Sequence, residues 1–350
     1  MTNNGSGYIS RTLRVAAIFC AFASIAHADD SSALTERLHR AARSNSLDDA
    51  SLKPWHLKLA FQLFNSKGNA AENGTIEEWW YGPEVHKTVY TSPSYTSTEI
   101  RTKDSFFRTK GVPSAPYLLS LILQQTVHPM PGEKDIASAK PDIRKETIGK
   151  VPLDCIMLSQ EIKNNHNNSI PLGLFPTYCF DHGSDTLRMA YDFGSQTIVL
   201  NSLGTFQQHN VAIDQTMSWN GVPAISAHID VLQGILVKEA DFAPSTDLEK
   251  IDLSAVKVDY KVIFGNIISQ ARPTYPERAR ANHVSGSVVL GAIIARDGRV
   301  RSLKLLSVPD ADLAIAAVAA VREWRYKPYL LNGEPTEIET TITVNFNIGS

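Results

Sequence analysis

Residues 337–348 admit one secondary structure. Ile338, Thr340, Ile342, Val344, Phe346 and Ile348 alternate with Glu337, Glu339, Thr341, Thr343, Asn345 and Asn347. A period of two puts the first set on one face of an extended strand, and that face needs a cover. The segments that would supply it lie just upstream. Val288, Leu290, Ala292 and Ile294 recur every second residue, which predicts another strand face. Asp297-Gly298 supplies a tight hairpin turn, and 300–306 is predicted to return as the second strand. Leu313, Ala316, Ala317, Ala320, Val321 and Trp324 are three or four apart and share a helical face. Asp310 and Asp312 at its start and Arg322, Arg325 and Lys327 at its end suit the helix dipole. Pro328 is predicted to stop the helix, and Asn332-Gly333 makes a turn before the last strand. The tail therefore reads as a small α+β unit of two strands, one helix and a terminal strand.

The residues carrying this pattern form a recognisable series. Tyr275-Pro276-Glu277-Arg278-Ala279-Arg280, Gly286-x-Val288, Asp297-Gly298-Arg299-Val300 and Trp324-Arg325-Tyr326-Lys327-Pro328 occur in that order. The series resembles the C-terminal domain of the TonB family over about a quarter of the chain. Its framework positions here are Tyr275, Pro276, Gly286, Asp297, Gly298, Trp324 and Pro328. The resemblance implies a periplasmic module that takes a short peptide, the TonB box of an outer-membrane transporter, as an added strand beside the last strand. On this sequence that places peptide contacts at Thr341, Thr343, Val344, Asn345, Phe346 and Asn347. An edge strand offers unpaired N–H and C=O groups, so the role is physically reasonable. A capped edge, or a homodimer contact through the same strand, fits the pattern as well.

The start of the chain has the form of an export signal. Arg11 and Arg14 flank the apolar run 15–26, and Ala26-His27-Ala28 is a small-x-small cleavage site. Twelve helical residues span about 18 Å, short of a ~30 Å hydrocarbon core. Cleavage after residue 28 and release into the periplasm is the expectation; an uncleaved inner-membrane anchor is the alternative. Export leaves Cys155 and Cys179, a pair that an oxidising compartment would join as a disulfide, or that would remain two buried thiols. Hydrophobic content of 43%, charge of 20% and a net charge of −2 suit a soluble protein and give nothing to attract nucleic acid.

Residues 29–50 are polar, with Leu34, Leu38, Ala41 and Ala42 at helical spacing, a lead-in helix. A strand period follows. Trp55, Leu57, Leu59, Phe61 and Leu63 share one face, with His56, Lys58 and Gln62 on the other. Further strands are predicted over 75–81, 85–91, 95–103, 153–159, 177–180, 187–193, 197–203, 211–219 and 224–236. Residues 116–127 form an apolar helix, 132–150 a charged loop, and Asn220-Gly221 a hairpin turn. The series predicts an antiparallel β-rich domain over 51–240, a curved sheet or half-barrel around a helix. Its rhythm faintly resembles the LolA-type lipoprotein carrier, which implies a concave face for an acyl chain or another apolar ligand. A plain packed core is the alternative. Residues 241–255 read as a linker and 256–350 as the TonB-like domain. The linker is far shorter than the spacer of energy-coupling TonB proteins, so peptide binding carries over while energy transduction does not follow.

No site for chemistry emerges. No H-E-x-x-H, glycine-rich phosphate loop or G-x-S-x-G elbow is present, and Cys155 and Cys179 have no histidine at ligand spacing. Glu77 and Glu78 are strand neighbours and point to opposite faces. The sequence thus predicts a non-enzymatic envelope protein without cofactor or metal, with a carrier or sensor of an apolar ligand as the alternative.

Overall fold

The alternation that begins at Trp55 builds a single antiparallel sheet. The computed structural model describes residues 22–159, 162, 170–192, 196–251, 256–259, 262–263, 265–331 and 333–348. The expected signal falls mostly outside these residues, and 22–28 belong to helix α1 (Phe22–Ser44). One meander comprises β1 (Trp55–Phe64), β2 (Ala70–Gly82), β3 (Val85–Thr91), β4 (Thr96–Thr102) and β5 (Ser105–Thr109). After helices α2 (Tyr117–Val127) and α3 (Glu133–Ser138), a second comprises β6 (Lys140–Ile148), β7 (Val151–Ser159), β8 (Thr177–Asp181), β9 (Leu187–Asp192), β10 (Gln196–Phe206), β11 (His209–Trp219) and β12 (Val222–Gly234). Pairing of β1 with β12 joins the two meanders, and β13 (Leu248–Ile251) lies against β5 at the far edge, making thirteen strands.

One face of this sheet carries the helices. Trp55, Leu57, Leu59, Ile76, Trp80, Ile198, Met217 and Ile225 pack with Leu38 and Ala41 of α1 and with Leu119 and Ile122 of α2 in one core. Trp55 and Trp80 stack with ring centroids 5.5 Å apart. Helix α2 packs onto this face, and the void beside it, about 10 Å³, is lined in part by Gln125, Thr126 and Gln215. That is room for one water molecule, not an acyl chain.

Residues 132–150, expected as a loop, hold α3 and the nine residues of β6. β6 pairs with β7 along its whole length, from Lys140 opposite Ser159 to Ile148 opposite Val151. Its Lys140, Pro141, Arg144, Lys145 and Glu146 hide the strand period but suit an edge, where charge and proline deter further pairing.

The C-terminal unit follows. Its elements are β14 (Val256–Lys257), β15 (Ile267–Ser269), α4 (Glu277–Ala281), β16 (Gly286–Ile294), β17 (Val300–Ser307), α5 (Ala311–Arg322), β18 (Arg325–Tyr326), β19 (Leu330–Leu331), β20 (Glu334–Pro335) and β21 (Ile338–Phe346). The main sheet has the order β14-β21-β16-β17, so β21 lies between β16 and a two-residue strand. Helix α5 covers it. Asp310 caps α5, its Oδ1 accepting from Asp312 N at 2.9 Å and Leu313 N at 3.2 Å. Pro328 does not stop this helix, which ends at Arg322. The chain leaves it to form β18 against β15, with Tyr326 N donating to Gly298 O at 2.9 Å. Ile348 lies past the end of β21 and is exposed.

The two units share apolar contacts. Met157, Leu174 and Phe175, from the thirteen-stranded sheet and its loop 170–176, are buried in the same core as Leu290, Val318 and Trp324. The Arg322 guanidinium sits 4.6 Å from the Trp219 ring, and Lys304 Nζ is 3.5 Å from Asp135 Oδ1. Helix α5 is therefore buried on more than the stripe its spacing predicts, with Ala314 and Val318 enclosed as well.

Candidate functional site

The free flank of β21 is the feature around which a site can be built. On one side β21 pairs antiparallel with β16 along its whole length, from Ile338 opposite Ile294 to Phe346 opposite Gly286. On the other side β14 runs parallel to it and pairs only at Val256–Ile338 and Lys257–Glu339, with Val258 N donating to Glu339 O at 3.0 Å. Beyond Glu339, among the described residues, no strand pairs with that side.

The orientation of each residue follows from that one bond. Glu339 turns its carbonyl to the β14 side, and successive residues of a strand turn their backbone groups to opposite sides. The N–H and C=O of Thr341, Thr343 and Asn345 therefore face the open flank. Those of Thr340, Ile342, Val344 and Phe346 face β16. Burial alternates in step: Thr340, Ile342, Val344 and Phe346 are buried, and Thr341, Thr343 and Asn345 are exposed. Of the six residues expected to contact a peptide, Thr341, Thr343 and Asn345 thus combine outward side chains with outward backbone groups. Val344 and Phe346 keep their side chains in the core, and exposed Asn347 follows the strand. Asn345 is held in place, its Oδ1 accepting from Ser287 Oγ at 2.7 Å.

The framework residues hold this strand. Tyr275 packs edge-on against Phe346 with centroids 5.6 Å apart, and its hydroxyl donates to Val284 O at 2.5 Å. Pro276 precedes α4. Gly286 has φ +154°, and a Cβ there would come within 2.9 Å of Pro309 Cβ. Asp297 Oδ1 accepts from Arg299 N at 3.0 Å, closing the turn. Gly298 has φ +79°, and a Cβ would stand 1.8 Å from Tyr326 O, so only glycine fits. Trp324 Nε1 donates to Ala271 O at 2.9 Å. At the start of β21, Arg301 pairs with Glu337.

The β14 clip was not anticipated. It lies next to residues read as linker, yet Val256, Val258, Tyr260 and Val262 alternate with Lys257, Asp259 and Lys261, a period-two signal. Residues 252–255 of the expected linker lie outside the described residues, and its 248–251 form β13.

Elsewhere, the polar residues noted in the sequence are tied to structural partners. His56 Nε2 lies 3.1 Å from Glu77 Oε2, and its ring stacks 4.7 Å from that of Trp79. Lys58 Nζ reaches Glu77 Oε1 at 3.0 Å. Glu78 turns to the opposite, buried face, where desolvation pushes its carboxyl up to about 8. Cys155 and Cys179 stand opposite one another on β7 and β8 and form a disulfide. Among the described residues no cluster of three His, Cys, Asp or Glu side chains could hold a metal ion, and no helix is long and apolar enough to cross a membrane.

Residues 271–348 match the family model described as Gram-negative bacterial TonB protein C-terminal. Protein TonB of Klebsiella pneumoniae is 34% identical over 82 residues, 23% of this chain and 32% of that protein. The chain thus spans about a third of the length of that curated relative. The solution structure of the Pseudomonas aeruginosa TonB C-terminal domain is 27% identical, covering 24% of this chain and 86% of that one, with a TM-score of 0.22. The LolA superfamily protein NE2245 of Nitrosomonas europaea aligns with 60% of this chain and 96% of its own, at 11% identity and a TM-score of 0.40.

Proposed function

We propose that the chain is a non-enzymatic periplasmic protein whose TonB-like C-terminal unit docks an extended peptide on the open flank of β21. The observation that carries this reading is the run of outward backbone groups at Thr341, Thr343 and Asn345 beyond the β14 clip. An incoming strand would pair with these groups and lie beside their side chains, which is β-augmentation. The TonB-like match at 271–348 supports the TonB box of an outer-membrane transporter as the peptide. Energy transduction is not part of the proposal. The working division is a signal at 1–28, a lead-in helix at 29–50, a β-rich domain from 51 that includes β13 at 248–251, and the docking domain at 256–350.

The test is a titration of the isotope-labelled full chain with transporter-derived TonB-box peptides, followed by amide shifts. Thr341, Thr343 and Asn345 should move most. Shifts confined to the β17 edge, or none with any such peptide, would defeat the reading.

A second reading, carriage of lipoprotein or another apolar ligand on the N-terminal sheet, requires α2 to leave the face it packs onto. One observation bears on it: α2 has no side-chain cap at its N-terminus, and beyond packing it is tied by Gln215 Nε2 donating to Thr126 Oγ1 and Leu47 N donating to Val127 O, both at 2.7 Å. Lipid co-purifying with the full chain would support this reading; an Ile122→Ala chain that still carries none would exclude it.

A further inference from the structure

A cavity of about 930 Å³ opens between the last turn of α1, the segment 49–54, the hairpin tip joining β10 to β11, and the end of β12. This is the size of a small-molecule site, generally ~300–1,000 Å³. It lies at the rim of the thirteen-stranded sheet, far in sequence from β21, and does not depend on the peptide reading.

Its charge is one-sided. Arg40, Arg43 and Lys53 line it, against a single carboxylate, Asp49, in a chain whose overall charge is −2. Asp49 is already engaged: its Oδ1 accepts from Ser51 N at 2.8 Å, and hydrogen bonds from Ser51 hold its carboxyl below the usual range. Arg40 pairs with Asp185, Nε to Oδ2 at 3.2 Å. Arg43 and Lys53 form no ion pair among the described residues. Three cations thus line an open cavity with one carboxylate, Asp49, which Arg43 helps to hold ionised, an excess of positive charge that concentrates anions.

The backbone that carries two of these cations is tied in place. Gln207 grips the Lys53 residue from both sides, Oε1 accepting from Lys53 N at 2.9 Å and Nε2 donating to Lys53 O at 3.0 Å. His209 Nδ1 lies 2.8 Å from Arg43 O. The tip making these ties has φ +46° at Gln207 and +70° at Gln208, a conformation that residues other than glycine rarely adopt. A two-residue hairpin loop between paired Phe206 and His209 takes that backbone, which fixes the position of the tip.

The cavity also has an apolar side. Phe206 contributes to its wall, and the Leu236 side chain at its edge is wholly exposed, at 103%. We propose that this cavity binds a single-chain anionic amphiphile, its carboxylate or phosphate head against Arg43 and Lys53 and its acyl chain along Phe206 and Leu236. Charge complementarity selects the head and the exposed apolar residues select the chain.

The test is a fluorescence titration of the full chain with dansyl-labelled undecanoic acid. Saturable one-site binding is expected, weakened by salt. Arg43→Glu with Lys53→Glu should lower affinity about tenfold or more, equivalent to about 1.4 kcal/mol. Leu236→Asp should lower it in the same direction. Because Arg43, Lys53 and Leu236 are exposed, the fold should survive, as circular dichroism would check. Lys53→Gln and Leu236→Ser serve if a charge reversal does not fold. Oleate and lysophosphatidic acid should displace the probe. Inorganic phosphate and uncharged monooleoylglycerol at the same concentration should not. Absence of saturable binding, wild-type affinity in the variants, or equal displacement by phosphate or monooleoylglycerol would each overturn the proposal.

Discussion

Glu78 is a carboxylic acid kept in the core face of β2 between Ile76 and Trp80, with Thr88 Oγ1 donating to its Oε2 at 3.1 Å. Burial raises its carboxyl to about 8 from an ordinary 4.5. The folded state therefore holds this proton more tightly than the unfolded state. Its stabilising effect is complete below about pH 4.5 and is lost as pH rises through about 8. Glu78→Gln keeps an acceptor for Thr88 and carries no charge. Urea melts should show the variant gaining on the wild type between pH 5 and pH 8, by up to a few kcal/mol. A constant difference across that range would show that Glu78 does not titrate this way. Gly298 is constrained by space as well as by φ, since a Cβ would overlap Tyr326 O. Gly298→Ala should destabilise by about 3 kcal/mol or more, read as a lowered melting temperature, because the overlapped atom is backbone and cannot swing aside.

At the scale of elements, β21 separates backbone roles cleanly enough to test them with proline. Thr343 directs its N–H away from β16, so Thr343→Pro removes a donor from the open flank and leaves the β16 ladder intact. It should reduce peptide affinity about tenfold or more with a small change in melting temperature. Val344→Pro removes a ladder bond and should destabilise by about 3 kcal/mol. If Thr343→Pro binds peptide like the wild type, the flank is not the site. The strand itself was legible because each inward residue from Ile338 to Phe346 is apolar or threonine and each outward residue is polar. The hairpin at Asp297-Gly298 was readable for the same local reasons, and Asp310, read only as suiting the helix dipole, is the cap of α5. β6 was not, because an edge strand carries charge where a central strand carries valine. The end of α5 was misjudged because Trp324 continues the helical spacing while its neighbours are drawn into β18 by Gly298 and β15. The β14 clip depends on a partner some eighty residues away, which no local pattern specifies.

For the whole molecule, the shared core of Met157, Leu174 and Phe175 with the C-terminal unit argues against independent domains on a free hinge. Phe175 comes from the N-terminal sheet's side yet is 1% exposed within the other unit's core. Phe175→Ala should cost about 3–5 kcal/mol and shift the melting of both units together in calorimetry. A C-terminal transition left in place while the other moves would show that the units melt separately.

The two residues of β14 also set a boundary for any guest. A strand laid along β21 could extend freely past Asn345, but at Glu339 it would meet Lys257 already in its place. The clip therefore works as a buffer stop, fixing where a visitor's first rung must fall and preventing it from sliding one step out of phase. Removing Val256 and Lys257 would lengthen the berth and at the same time blur its alignment.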